Sequence, residues 1–426
     1  MSLPSQQRRA TFWAAFGPGL LWAATAIGVS HLVQSTRAGA EAGLALAGVI
    51  LLALVLKYPL FEYGPRYGAA TGLSLVEGYR HIGRWALWLY VAITVTTSVV
   101  IQAAIVLFTA FLLNYTFDLA WSMPVTGAVL LLVCAVSLWI GRFPLLDRAV
   151  KLILVVLALS TIAAAVVTLG RVDWSTLALL PALGTTGGAV SFAFLLALVG
   201  WMPSAIDIAV WSSLWTLAKD KVSGGHASVS HARLDFFIGY AATGFLAFCF
   251  LILGAGVMFA SGMSFSGAGT VFSTQLVHLY SSTLGPWARP IVLIAALTTM
   301  LSTSLAVVDG FPRAIERSIA NLRPGHSDER PVPTAGGIYW ASLVVLAGLT
   351  VLVLSAFVGD LTTMVDFATI VSFLTAPVLG YLNLRAVTSA NVAPEHRPSR
   401  RMLVLSWVGL VLLGGTAVAF IVTLLF

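Results

Sequence analysis

A series of long apolar runs constrains this chain more than any other feature. About eleven stretches reach the ~20 mostly apolar residues that a membrane helix needs, at 12–40, 43–66, 84–113, 122–140, 147–170, 187–218, 234–261, 287–312, 335–358, 361–386 and 402–426. Inside hydrocarbon every backbone polar group must be satisfied internally, so runs of this length become helices. Only 9% of the 426 residues are charged, against about 25% in soluble domains. These features predict an all-α polytopic membrane protein of about eleven transmembrane helices, embedded in lipid, with no separate soluble domain.

A net charge of +7 would point to nucleic acid in a soluble protein. Here the basic residues sit in short loops, near Arg80/Arg84, Arg142/Arg148/Lys151, Lys219/Lys221/Arg233, Arg317/Arg323/Arg330 and Arg385/Arg397/Arg400/Arg401. The alternate loops, near 114–123, 262–285 and 359–360, are almost free of Lys and Arg, with Arg171 and Arg289 as the main exceptions. This alternation predicts a multi-pass protein of an inner or plasma membrane, N-terminus cytoplasmic and C-terminus extracytoplasmic, with no nucleic-acid partner. Cys134 and Cys249 both lie inside apolar runs, which argues against a disulfide or a thiolate metal site.

Two runs are interrupted. The first carries Ser30, His31, Gln34, Ser35, Thr36 and Arg37 in its middle. Polar groups at that depth are expensive unless satisfied or functional, so the segment 26–39 reads as a broken helix lining a substrate site. The sixth run places Pro203 within 200–207, where the missing N–H and the ring clash should interrupt the helix. Interruptions in spans one and six predict two five-span halves of inverted topology, 12–170 and 187–386, followed by an additional helix at 402–426.

The residues around both interruptions resemble the Nramp family of divalent-metal transporters. The likeness runs from Phe16, Gly17, Pro18, Gly19 and Leu20 to 38–43, continues at 67–72, and includes Met202, Pro203, 211–214 and 309–311. The resemblance implies a LeuT-type 5+5 inverted repeat with helices 1 and 6 broken and the substrate held between them. The family's first-helix signature is Asp-Pro-Gly-Asn, whose Asp and Asn ligate the metal. Gly28, Val29, Ser30 and His31 stand at those positions. Its sixth-helix signature is Met-Pro-His-Asn, whereas Ser204 and Ala205 follow Met202 and Pro203 here. The family's proton-linked His is Trp211, and span three holds no acidic residue where the family's proton route uses one. The scaffold carries over, and the metal site and proton route do not. This loss resembles the Nramp-related branch linked to bicarbonate transport.

A hard dication wants oxygen ligands with at least one carboxylate, and the first interruption contains none. Half-helix N-termini instead present free N–H groups with partial positive charge, which suit an anion. The expected substrate site is Gly28, Ser30, His31, Gln34, Ser35, Gly200, Met202 and Ser204. Arg37, Asp207, Thr299 and Thr303 are expected to support it or to couple transport to another ion. The function expected is secondary transport of a small inorganic anion, bicarbonate first, with no cofactor and no metal centre. The alternatives that stay open are a divalent-metal transporter (manganese or magnesium type) with altered ligands, a non-transporting sensor or scaffold, and a carrier of another small polar solute. Coupling stays open between none, proton and sodium, and a sodium site at the Thr/Ser cluster 298–304 is implied only by the resemblance to LeuT-type folds. Local pairing is the expected structural role of Arg37 with Glu41 and of Glu62 with Arg66. The chain has no phosphate loop, nucleophile elbow or His/Glu zinc motif, so an enzyme is not expected.

Overall fold

The apolar runs become helices at the lengths their composition predicts, and the two interrupted runs become helices in two pieces. The structure, a computed structural model, describes residues 17–141, 143–181, 190–223, 227–323, 335–357 and 360–425. Phe16, Arg142, Arg330, Gly359, the ends of the runs drawn from 12, from 187, to 358 and to 426, and the side chains of Arg148 and Lys151 lie outside the described residues. The first span is α1 (Pro18–Ala26), a π-helical turn (Ser30–Ser35) and α2 (Thr36–Ala42). Then come α3 (Ala47–Thr71), a short α4 (Leu75–Ile82), α5 (Arg84–Phe117), α6 (Met123–Ile140) and α7 (Phe143–Thr168). The sixth span is α8 (Phe192–Gly200) and α9 (Ile208–Ser223), followed by α10 (Val229–Leu253). The remainder is α11 (Gly269–Leu284), α12 (Ala288–Leu322), α13 (Gly337–Ala356), α14 (Leu361–Val387) and α15 (Arg400–Leu425). Among the described residues, 8 helices are long and apolar enough to cross a membrane, and α7 and the two split spans complete the series.

The packing repeats itself between the halves. The α1 piece of span one lies on α10, as the α9 piece of span six lies on α3. Likewise α5 packs on both α6 and α14, as α12 packs on both α13 and α7. Swapping the halves exchanges these contacts, as an internal two-fold repeat requires.

Lipid tails are as apolar as leucine, so close backbone approach rather than apolar burial holds such helices together. The first span shows this against α10 and its π-helical continuation. A Cβ at Gly39 would lie 2.1 Å from the Leu251 carbonyl oxygen, and one at Gly254 would lie 2.1 Å from that of Thr36. No side chain fits at either position. At the other end of the span, buried Trp22 packs edge-on against Phe61 and Phe236.

Two helices depart from the loops drawn from the apolar runs. Residues 262–285, read as a loop, contain α11, which packs on α5, α7 and α12. Between spans two and three, α4 opens with Ser74 and Glu77 three residues apart, a reciprocal capping pair. The Glu77 carboxylate accepts from the Ser74 N–H (2.9 Å), Arg317 Nε (2.6 Å) and Asn321 Nδ2 (2.6 Å), and so ties α4 to the end of α12. Burial alone would push this carboxyl up, but the Arg317 guanidinium and its hydrogen-bond donors hold it below the usual glutamate range. The stabilisation is therefore complete above the ordinary glutamate pKa and is lost as pH falls through the lowered one. Removing one partner of a buried pair costs about 3–5 kcal/mol. Glu77→Ala should lower the melting temperature by several degrees at neutral pH, and the gap to the wild type should narrow on acidification. Thermal unfolding of both proteins across pH checks this.

Candidate functional site

The first interruption is narrower than its polar residues imply. α1 stops at Ala26, and only Ile27 and Gly28 leave helical geometry, Ile27 with φ −77° and ψ 92°. The Gly28 carbonyl already accepts the His31 N–H (3.1 Å) and the Leu32 N–H (2.9 Å). The polar run from Ser30 to Arg37 is thus wound as a π turn and a helix, and most of its side-chain polar groups bond within the bundle, Gln34 Oε1 being the exception. Ser30 Oγ donates to the Ala26 carbonyl (2.7 Å). His31 is fully buried, with Nδ1 2.8 Å from Ser30 Oγ and Nε2 3.0 Å from the Thr243 carbonyl oxygen of α10. Ser35 Oγ donates to the Ser30 carbonyl.

The second interruption is wide. α8 ends at Gly200, α9 begins at Ile208, and the intervening segment contains the expected Pro203. A chain break leaves helix carbonyls without donors on one side and N–H groups without acceptors on the other. Lys57, fully buried on α3, answers the first deficit. Its Nζ donates to the carbonyls of Val199 (2.9 Å), Gly200 (3.0 Å) and Ser204 (3.1 Å), a full set of bonds for an ammonium group.

The two interruptions meet at a small cavity of about 40 Å³, larger than the ~10–15 Å³ that a single water needs. Both half-helix N-termini reach it, through Gly28, Val29 and Ser30 on one side and Ser204, Ala205 and Asp207 on the other. The wall is completed by Ile101 and Ile105 of α5, Trp201, Trp211, and Thr303 and Phe311 of α12. Two groups on this wall are buried without a hydrogen-bond partner: both carboxyl oxygens of Asp207, and the indole N–H of Trp211. The Trp211 ring stands edge-on to Phe311, with centroids 4.9 Å apart.

Of the residues expected to bind substrate, Gly28, Ser30 and Ser204 line the cavity, as do Asp207 and Thr303 from the supporting set. His31, Gln34, Ser35, Gly200 and Met202 are not among its lining residues. Gly200 faces α14, where a Cβ would sit 2.0 Å from the Thr369 carbonyl oxygen. Thr299 lies one turn from Thr303 and has a buried hydroxyl without a partner. Lys57 went unnoticed, although a lone lysine inside the apolar run 43–66 was the available signal.

Gln34 and Arg37 build a separate cluster with α14. Arg37 bonds Asp366 (2.7 Å) and Glu41 (2.6 Å), so the expected local pair exists and a second, long-range one joins it. Gln34 Nε2 donates to Asp366 Oδ1 (3.1 Å), and the Arg37 guanidinium lies 4.2 Å from the Phe194 ring centroid. This cluster ties the second half of span one to α14 and α8. The expected Glu62–Arg66 pair is also formed (2.8 Å), and Arg233 of α10 joins it at 2.6 Å. Among the described residues, no three His, Cys, Asp or Glu side chains gather as a metal centre would require.

Residues 19–423 match the family model described as natural resistance-associated macrophage protein-like, Nramp. An uncharacterized protein of Pasteurella multocida is 34% identical over 424 residues, covering 98% of this chain and 95% of the relative. Among solved structures, the manganese transporter of Eremococcus coleocola, bound to an aromatic bis-isothiourea compound, superposes with a TM-score of 0.73 at 15% identity, over 98% of this chain and 90% of that one. MhsT in complex with L-phenylalanine gives 0.61 at 14% identity, over 98% and 99%. At these identities the likeness establishes the fold, which is of the LeuT type.

Asp366 is the charge that holds both Arg37 and Gln34, whereas Glu41 is a more exposed partner of Arg37 alone. Asp366→Asn should loosen this end of the bundle. A cysteine placed at Ser204 should then react several-fold faster with a membrane-impermeant thiol reagent added from the Arg37 side. Glu41→Gln should change that rate less.

Proposed function

This chain belongs to the Nramp family of multi-pass secondary transporters, and we propose that it carries a small inorganic anion, bicarbonate foremost, by alternating access at the cavity between its two broken helices. The proposed orientation places the N-terminus in the cytoplasm, following the alternation of basic loops.

The observation that carries this reading is Lys57. In broken-helix transporters, freed carbonyls serve as ligands for a transported or coupling cation. Here an ammonium group already holds three such carbonyls and adds a fixed positive charge beside the cavity. A dication arriving there would meet like charge in a poorly screened interior. What remains on offer is donors. The helix starts at Gly28–Ser30 and Ser204–Asp207 supply backbone N–H groups, and the Trp211 indole N–H has no acceptor of its own. A small oxyanion satisfies donors of this kind, and the cavity admits only a small substrate.

The divalent-cation reading has one observation in its favour, the unpartnered Asp207 carboxyl on the cavity wall. It also agrees with the manganese named for the Eremococcus coleocola relative. The two readings separate in proteoliposomes. Uptake of labelled bicarbonate should exceed the passive leak of protein-free vesicles at alkaline pH, while a luminal manganese indicator stays silent. Manganese entry without labelled bicarbonate uptake would overturn the anion reading. Ser204→Ala removes a hydroxyl from the wall and is expected to reduce bicarbonate uptake several-fold without changing the melting temperature.

A further inference from the structure

We infer that the end of α14 and the start of α15 form a binding site for an anionic phospholipid, whose headgroup is held by Arg385, Arg400 and Arg401. The inference stands apart from the anion reading of the cavity and uses none of its residues.

The segment joining α14 to α15 is fixed by two arginines that spend their charge on backbone. Arg397 donates to the carbonyls of Val392 (3.0 Å) and Ser389 (3.2 Å), and Arg66 of α3 donates to that of His396 (2.9 Å). Three neighbouring arginines, Arg385, Arg400 and Arg401, are left exposed. Among the described residues, none of the three has a carboxylate within ion-pair distance. Glu395, the one acid in the segment 388–399, pairs with none of them. Arg385 donates to the Tyr381 hydroxyl (3.0 Å), and its guanidinium lies 5.9 Å from the centroid of that ring. Arg400 and Arg401 open α15, and no acid stands in its first turn. Their charge therefore adds to the positive end of the helix, a placement that is unfavourable until an anion answers it.

The surroundings of these arginines suit a lipid rather than a soluble anion. Tyr381 and Trp407 bring α14 and α15 together, with ring centroids 6.2 Å apart. At helical rise, Trp407 lies about 10 Å along α15 from Arg400. Trp and Tyr gather at this level of a bilayer, where headgroups meet acyl chains. Arg400, Arg401, Val404, Trp407, Val408 and Val411 share one face of α15, and all six are exposed. Guanidinium forks match phosphate oxygens, and the apolar strip below them takes an acyl chain. A free phosphate leaves that strip unused. A zwitterionic headgroup brings a cation of its own into a cluster that lacks anions.

The opposite face of α15 is packed on α3. Ser406 Oγ lies 2.5 Å from the Tyr63 hydroxyl, and a Cβ at Gly409 would lie 2.6 Å from the Leu56 carbonyl oxygen. A lipid that bridges the end of α14 and the start of α15 thus clamps the additional helix against α3, the helix that carries Lys57.

The test is thermal unfolding of the purified protein in a neutral detergent at constant ionic strength. It is titrated with dioleoyl phosphatidylglycerol, with phosphatidylcholine of the same chains, and with inorganic phosphate. Phosphatidylglycerol should raise the melting temperature saturably, and the other two should not. Each arginine beside an anionic lipid is worth about fivefold in affinity, so Arg385→Gln/Arg400→Gln/Arg401→Gln should need at least about tenfold more phosphatidylglycerol for half the rise. Arg171→Gln/Arg289→Gln/Arg323→Gln removes the same charge from three other exposed positions and should keep the wild-type midpoint. Three wild-type outcomes overturn the inference without any variant: no rise with phosphatidylglycerol, an equal rise with phosphatidylcholine, or an equal rise with inorganic phosphate. A midpoint unchanged in the first variant, or shifted as far in the second, overturns it as well, by leaving the effect to overall charge.

Discussion

The site depends on one interaction, the Lys57 ammonium against the carbonyls of Val199, Gly200 and Ser204. A helix cannot stop inside a membrane without a partner for the carbonyls at its end, because no water reaches them there. A bound cation solves that problem in one way, and a lysine from the neighbouring helix solves it in another. The second solution is permanent. It stabilises the break without a bound cation, and on the proposed reading it turns a place suited to cations into one flanked by positive charge. The buried carboxyl of Asp207 and the orphaned indole N–H of Trp211 are read against that charge.

Much of the fold was legible in the sequence, because apolar length and proline act locally. The runs gave the spans, and Pro203 marked the wide break between Gly200 and Ile208. The first break was legible in place but not in extent. Ser30, His31 and Gln34 look like the lining of an unwound segment, yet they are helical and bonded to Ala26, Thr243 and Asp366. Thr243 and Asp366, more than two hundred residues away, leave no trace in local periodicity. The same holds for Arg37, whose Glu41 partner is visible four residues on, whereas Asp366 is not. Two further signals stand in the sequence: the Ser74/Glu77 pair that opens α4, and Lys57 as the one lysine in the apolar run 43–66.

The LeuT-type scaffold and the chemistry at its centre are separable. Glycine contacts such as Gly39 with Gly254, and the exchange of equivalent packings between the halves, set the positions of the broken helices. Those positions bring two helix starts to one small cavity whatever stands at the break. On the proposed reading, substitutions at a few positions then decide the sign of the charge that enters. Gly28 to His31, Ser204 and Trp211 stand where the family's metal and proton groups would be expected, and Lys57 supplies the compensating charge from α3.

The most direct test of the central claim is ligand-dependent thermal unfolding of the purified wild type and of Lys57→Met, with bicarbonate or manganese added at matched pH and ionic strength. A ligand that binds only the folded state raises the melting temperature in proportion to its affinity. The account expects bicarbonate, and not manganese, to raise it in the wild type, and the bicarbonate effect to vanish in Lys57→Met. Stabilisation of the wild type by manganese alone, or a bicarbonate effect that survives the loss of Lys57, would contradict it.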